Sequence, residues 1–166
     1  SKDERRSAVT RLASLALRQR GRADAVDYAL VRQLCVELSC AELFPAAKEA
    51  RESSDKHDKW VVLAGRYVAF YSLETDALQR AVNVLRQACP TAKLRALSET
   101  GGTEPMREAA RTADLFVIAT RSATHAATGA IMQHRRAGKA TEYARSKSST
   151  SLIEAVRRWL DNLSES

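Results

Sequence analysis

Ala113-Asp114-Leu115-Phe116-Val117-Ile118-Ala119-Thr120-Arg121-Ser122-Ala123-Thr124-His125 is the stretch whose reading decides the fold. Leu115 to Ala119 is a continuous apolar run of strand length. It is the clearest strand in the chain. A polar turn follows, then a helical segment from about Thr124 to Arg136, broken by Gly138. A strand, a turn and a helix in that order form half of a βαβ unit.

Towards the C-terminus, Lys139 to Ala144 reads as a further strand. Ser151 and Glu154 have the spacing of a capping box that opens a last helix. That helix packs Leu152, Ile153, Val156, Trp159, Leu160 and Leu163. Towards the N-terminus, Thr103 caps a short helix with Pro105 in its first turn, where a missing amide costs little. Gly101-Gly102 is a turn, and Ala92 to Leu97 a weaker strand. Thr75 caps a helix with the face Leu78, Ala81, Val82, Leu85 and Ala88, and Pro90 stops it. Trp60 to Ala64 is a short continuous apolar run that reads as the first strand, buried on both faces and ended by Gly65. Val68 and Phe70 alternate with small or polar residues, so an extra strand over 66–72, forming a hairpin with the first, stays open.

The first third reads as helix. Val9, Leu12, Leu15 and Leu17 share a face, and Gly21 is a C-cap. Asp24 caps a second helix carrying Ala25, Tyr28, Leu30, Val31, Leu34 and Leu38. Ser39-Cys40-Ala41-Glu42 resembles another capping box. Pro45 breaks that helix, and a short one runs on to Arg51. The polar run Glu52 to Asp58 is a linker. The expectation is therefore an α/β protein: a helical segment at 1–52, then a small Rossmann-like domain at 59–163. Its core is a parallel sheet of about four strands flanked by helices.

Hydrophobic residues make up 45% of the 166 and charged residues 28%, which supplies a core and argues against global disorder. No apolar run approaches the roughly 18 residues of a membrane span. The charged start, Ser1-Lys2-Asp3-Glu4-Arg5-Arg6, is not a secretory signal. A cytoplasmic location is expected, and the missing initiator Met suggests a piece of a longer protein. Cys35, Cys40 and Cys89 form no CxxC and read as small core residues. The net charge of +7 concentrates in the C-terminal third, where Arg121, Arg135, Arg136, Lys139, Arg145, Lys147, Arg157 and Arg158 face only Glu142 and Glu154 between positions 121 and 160.

Open parallel sheets bind ligands beyond the carboxyl ends of their strands. On this reading the loops there are Gly65-Arg66, then Ser98 to Gly102, then Thr120 to His125, then Arg145 to Thr150. The candidate ligand-binding residues are Gly101, Gly102, Thr120, Arg121, Ser122, Thr124, His125, Arg145, Lys147, Ser148 and Ser149. Helix N-termini attract anions, and arginine or lysine can close over a phosphate. The competing role of these hydroxyls is helix capping. His125 opens a helix at the crevice and is the residue suited to hydrogen-bond a ligand or move a proton. His57 and His134 read as bystanders.

Several chemistries lack their motifs. There is no GxxxxGK[ST], no GxGxxG after the first strand, no HExxH and no spaced Cys/His set. No cofactor and no metal is expected. Asp114 precedes its strand and belongs to the opposite edge, so a phosphoacceptor cluster is missing.

The double glycine Gly101-Gly102, the run Ala113-Asp114-Leu115-Phe116-Val117, the pair Thr124-His125, Gly138-Lys139 and the serines at 146–149 together resemble a bacterial Rossmann-like family of unknown function, over about residues 59–163. The resemblance implies a fold and a pocket around Thr124 and His125, but no reaction. The family pattern has two glycines after strand one, where this chain has Gly65-Arg66. The general plan is also similar to the cyclic-oligonucleotide sensors of CRISPR systems and to BRCT phosphopeptide modules, at fold level alone.

Four functions compete. The leading one is a non-catalytic sensor or binding module for a phosphorylated small molecule or nucleotide, working with other domains of a longer parent chain. The second is sequence-nonspecific DNA or RNA binding through Arg135, Arg136, Lys139, Arg157 and Arg158, for instance within an anti-phage defence protein. The third is a protein-interaction scaffold. An enzyme comes last, since no carboxylate pair or metal set supports one.

Overall fold

The computed structural model describes residues 2–18, 23–44 and 59–164. Gly21, Pro45, the segment to Arg51, the linker 52–58 and His57 lie outside the described residues. The chain divides into two compact units, Ser1–Trp60 and Val61–Ser166. Among the described residues no helix is long and apolar enough to cross a membrane.

The first unit pairs α1 (Lys2–Arg18) with α2 (Ala25–Glu37). Its core gathers Val9, Ala13, Tyr28, Cys35, Cys40 and Phe44. The buried stripe of α1 runs through small residues. Leu12 and Leu15, placed on that face by sequence, are 46% and 51% exposed. Asp24 caps α2 through a reciprocal box with Asp27. Ser39 does not open a helix. It lies at φ 54° and ends α2, with Ser39 N donating to Val36 O and Cys40 N to Cys35 O. Those two bonds form a Schellman motif. Burial, reinforced by the neighbouring Cys40, pushes the Cys35 thiol up to about 11. Such a thiol packs as a small apolar residue.

The second unit holds a four-stranded, all-parallel sheet: β1 (Tyr67–Tyr71), β2 (Lys93–Leu97), β3 (Leu115–Ala119) and β4 (Ala140–Ala144), in the order β2-β1-β3-β4. The helices are α3 (Thr75–Ala88), α4 (Glu104–Thr112), α5 (His125–His134) and α6 (Ser149–Ser164). Helices α3 and α6 pack together on one face, and α4 and α5 on the other. The layer under α4 and α5 contains Ala69, Tyr71, Phe116, Ile118, Met106, Ala109, Ala127 and Ile131. Strand alternation turns Val68, Phe70, Leu115 and Val117 to the α3–α6 layer. From β1 the chain moves to β2, and from β3 it moves the other way to β4. The switch point therefore falls between β1 and β3.

One strand assignment is corrected. Trp60 to Ala64 is not a strand, since Lys59–Leu63 forms a 3-10 helix. Its apolar run is not buried on two faces: Val61 is 68% exposed. Gly65 then turns at φ 74°, and the sheet begins with Tyr67–Tyr71, whose last four residues are buried. A short apolar run does not distinguish a strand from a helical turn. Two caps also move. Thr75 is the first residue of α3, not its cap, and Ser72 Oγ accepts from Glu74 N just upstream. Helix α6 starts at Ser149, earlier than the Ser151–Glu154 spacing implied. Ser148 caps it, with Ser151 N donating to Ser148 Oγ at 3.2 Å.

The amino edge of the sheet is tied by two side chains. The Asp114 carboxylate accepts from Tyr67 N at 2.9 Å and Lys139 Nζ at 2.6 Å, so it joins β1, β3 and β4. Burial works to raise its pKa, but the bonds from Lys139 and Tyr67 outweigh it and hold it below the ordinary value. Arg135, just past α5, donates to the Ala110 and Ala113 carbonyls at 2.8 Å each, to Thr141 Oγ1 at 3.1 Å and to the Ala140 carbonyl. Its guanidinium also lies 5.7 Å from the Phe116 ring centroid.

Candidate ligand-binding edge

Four loops leave the carboxyl ends of the strands: Ser72–Glu74 after β1, Ser98–Thr103 after β2, Thr120–Thr124 after β3 and Arg145–Ser148 after β4. Gly65 and Arg66 are not among them. They precede β1 and belong to the opposite edge, so the expected first loop is replaced by Ser72-Leu73-Glu74. Sequence reasoning missed Ser72 and Glu74 because it placed the first strand too early. The polar cluster Ser72 to Asp76 ahead of an amphipathic helix was the available signal.

Thr124 is the most connected of the expected residues. Its Oγ1 donates to Thr100 O at 2.7 Å and accepts from Ala127 N at 3.1 Å. The hydroxyl of buried Tyr71 lies 3.5 Å from both Thr124 Oγ1 and Thr124 N. Thr124 thereby caps α5 and fastens the loops after β2 and β3 to the end of β1. These bonds give it a full structural role.

Gly102 has a packing reason. A Cβ there would sit 2.5 Å from Ala130 Cβ of α5. Only glycine lets this loop approach the helix so closely. Gly101 faces open space. The serines after β4 interlock: Ser146 N donates to Ser151 Oγ at 2.9 Å, and the Ser146 and Ser148 hydroxyls meet at 3.0 Å. Lys147 reaches Glu74 at 2.8 Å, so an ion pair links the loop after β4 to the loop after β1 across the end of β3.

The cations divide into two groups. In the set read as a nucleic-acid surface, Arg135 holds backbone carbonyls, Lys139 holds Asp114, Arg157 lies 3.5 Å from Glu154, and Arg158 holds Glu142 and the Tyr143 carbonyl. Arg136 is exposed and has no side-chain partner among the described residues. At the carboxyl edge, Arg121 and Arg145 are exposed and likewise have no partner among the described residues. Ala119 and Ala144 are in register across β3 and β4, so these two arginines follow neighbouring strand ends. Neighbouring strands lie about 4.8 Å apart. Thr120 and His125 are exposed beside them. The Ser122 side chain is outside what is described.

This edge offers guanidinium groups, hydroxyls and helix amides, a donor set suited to an anion. Among the described residues His125 has no carboxylate or hydroxyl partner. Among the described residues no three His, Cys, Asp or Glu side chains cluster to hold a metal ion.

The DpdD-like family model matches residues 1–155. The chain belongs to the DpdD-like family. The match runs through both units, so the helical unit and the sheet are parts of one family pattern. Searches of curated proteins and of solved structures returned no match.

Proposed function

We propose that this DpdD-like chain is a non-catalytic binding module that takes a phosphate-bearing ligand at the carboxyl edge of its sheet. The observation that carries the reading is the pair Arg121 and Arg145. Both are exposed, lack internal partners among the described residues and follow adjacent strands in register. Two unengaged guanidinium groups so placed suit the several oxygens of a phosphate. His125, at the first position of α5, adds a ring donor or acceptor and free amides of the helix start. The remaining domains of a longer parent chain would receive the signal. Free thiols at Cys35, Cys40 and Cys89 suit a reducing, cytoplasmic setting.

A second reading is nucleic-acid binding. It is supported by the net charge of +7, and membership of the DpdD-like family is compatible with a role associated with DNA modification or defence. Against it, four of the five cations of the expected surface already hold internal partners.

Thermal-shift assays against ATP, NAD, cyclic oligonucleotides, single-stranded DNA and duplex DNA, at low and high salt, separate the two. The module reading expects a shift from a small nucleotide that persists in salt and disappears in Arg121→Ala and Arg145→Ala. A shift with polymers alone, falling steeply with salt, transfers the function to nucleic-acid binding. No shift with any probe refutes both.

A further inference from the structure

The two edges of the sheet, β2 and β4, differ. In β4 the Ala140 amide donates inward to the Asp114 carbonyl, so strand alternation turns the backbone groups of Thr141 and Tyr143 outward. Arg158 guards this edge by donating to the Tyr143 carbonyl at 2.8 Å. In β2 the Lys93 amide donates inward to Arg66 O at 2.9 Å, and the Leu97 carbonyl accepts from Ser72 N at 3.2 Å. Leu94 and Ala96 therefore turn their amides and carbonyls away from the sheet. Among the described residues no strand pairs with them and no side chain bonds to them. The side chains of β2 alternate as well. Lys93 and Arg95 are in register with Tyr67 and Ala69 and share their face, and Leu94 and Ala96 are in register with Val68 and Phe70 on the other. Both cations are exposed. Lys93 has no side-chain partner among the described residues, and Arg95 bonds to the Tyr67 hydroxyl rather than to a carboxylate.

We propose that the open edge of β2 is a docking surface for an acidic, extended segment of a partner protein, which adds to the sheet as a further strand. The backbone supplies the attachment, since the amides and carbonyls of Leu94 and Ala96 are the groups an incoming strand pairs with. Charge supplies the selection. Two cations two residues apart on one face match carboxylates at alternate positions of the incoming strand, and opposite charges facing each other across strands stabilise the pair. The residue between those carboxylates falls on the other face, beside Leu94 and Ala96, and is therefore apolar. A second copy of this chain fails the same rule. Pairing β2 with β2 sets Lys93 and Arg95 against their own kind, and like charges across strands destabilise. The chain's own acidic run does not fit either, because Glu52, Asp55 and Asp58 are spaced by three, with Lys56 and His57 among them. The surface runs along β2 and is separate from the loops that form the carboxyl edge.

The test uses the full chain and two short synthetic peptides of the same composition, one alternating glutamate with valine and one with its glutamates in a block. Amide hydrogen exchange is read by NMR, and affinity by fluorescence anisotropy. In the free chain the Leu94 and Ala96 amides exchange fast while those of Lys93, Arg95 and Leu97 are protected. The alternating peptide slows exchange at Leu94 and Ala96 and binds more tightly than the blocked one. Arg95→Ala weakens it by about 2- to 5-fold, and Lys93→Glu with Arg95→Glu abolishes it. Ala96→Pro removes an outward amide, which an edge strand tolerates, and weakens binding by roughly 10-fold. Circular dichroism shows that these variants fold. Arg136→Ala, an exposed cation elsewhere, leaves the affinity unchanged. The proposal is overturned if the alternating peptide does not bind, if the blocked peptide binds as well, or if Arg136→Ala weakens binding equally. Protection of Leu94 and Ala96 without peptide also overturns it: at high concentration alone it assigns the edge to a second copy, and in dilute solution to the chain itself.

Discussion

Replacing Arg135 with Met keeps an apolar stem of similar length and removes the guanidinium that closes the amino edge of the sheet. Five acceptors lose their donor: the carbonyls of Ala110, Ala113, Asp114 and Ala140, and the Thr141 hydroxyl. Hydrogen bonds from a charged donor contribute about 1.5–3 kcal/mol each, but the values do not add, and water can reach a half-buried site. The contact with Phe116 contributes about 0.5–1 kcal/mol more. A loss of about 2–4 kcal/mol follows, which for a domain of this size lowers the Tm by roughly 10–20 °C. The next residue provides the control. Arg136 is exposed and has no partner among the described residues, so Arg136→Ala should stay within about 0.5 kcal/mol of the parent. Urea unfolding followed by circular dichroism, with hydrogen exchange of the β3 and β4 amides, reads both variants. A loss below about 1 kcal/mol for Arg135→Met, or an equal loss for Arg136→Ala, would refute the assignment of Arg135 as a structural clasp.

Gly102→Ala should cost about 1–3 kcal/mol because its Cβ meets Ala130, whereas Gly101→Ala is nearly neutral; thermal melts compare them, and adding Ala130→Gly should recover part of the loss. Thr124→Val removes the α5 cap and the bond to Thr100, for a loss of about 1–2 kcal/mol in denaturant unfolding, while Thr124→Ser keeps most of it. Asp114 has a folded pKa below its unfolded one, so its contribution is full above the unfolded value and is lost as pH falls through the folded value. The advantage of the parent over Asp114→Asn should therefore be full above about pH 5 and shrink from about pH 4 downward. An advantage that stays constant across that range in pH-dependent melts would dismiss the ion pair with Lys139.

The sheet was legible where burial left a mark on composition. Leu115–Ala119 lies between two helical layers, and its continuous apolar run says so. β1 was harder, because Trp60–Ala64 has a similar run without being a strand, while Tyr67–Tyr71 includes a small residue at Ala69. The error propagated to the site: with the strand placed early, Ser72 and Glu74 had no reason to be read, and Gly65-Arg66 took their place. Ser39 showed the same ambiguity in miniature, since a serine three residues before a glutamate marks a helix start, and here the backbone uses it as a helix end. The roles of the arginines were not legible at all. Arg135 is held by carbonyls 22 and 25 residues away, and carbonyls belong to every residue alike. By contrast, Arg121 and Arg145 could be placed at one edge because strand–helix alternation implies parallel strands, whose carboxyl ends lie together.

The position of β1 in the middle of the sheet sets the order in which the protein can assemble as it is made. Its buried residues Val68, Ala69, Phe70 and Tyr71 need β3 on one side, and Asp114, which leads into β3, comes 47 residues after Tyr67. At a synthesis rate of about 5–20 residues per second, that is a wait of about 2–10 s. During that interval an apolar segment with high strand propensity has one edge uncovered, the condition under which chains pair with one another. Arg66 immediately before it and Glu74 shortly after it are charges of the kind that flank such segments and discourage association. The same Glu74 that holds Lys147 in the finished fold thus also guards β1 before its partner strand exists.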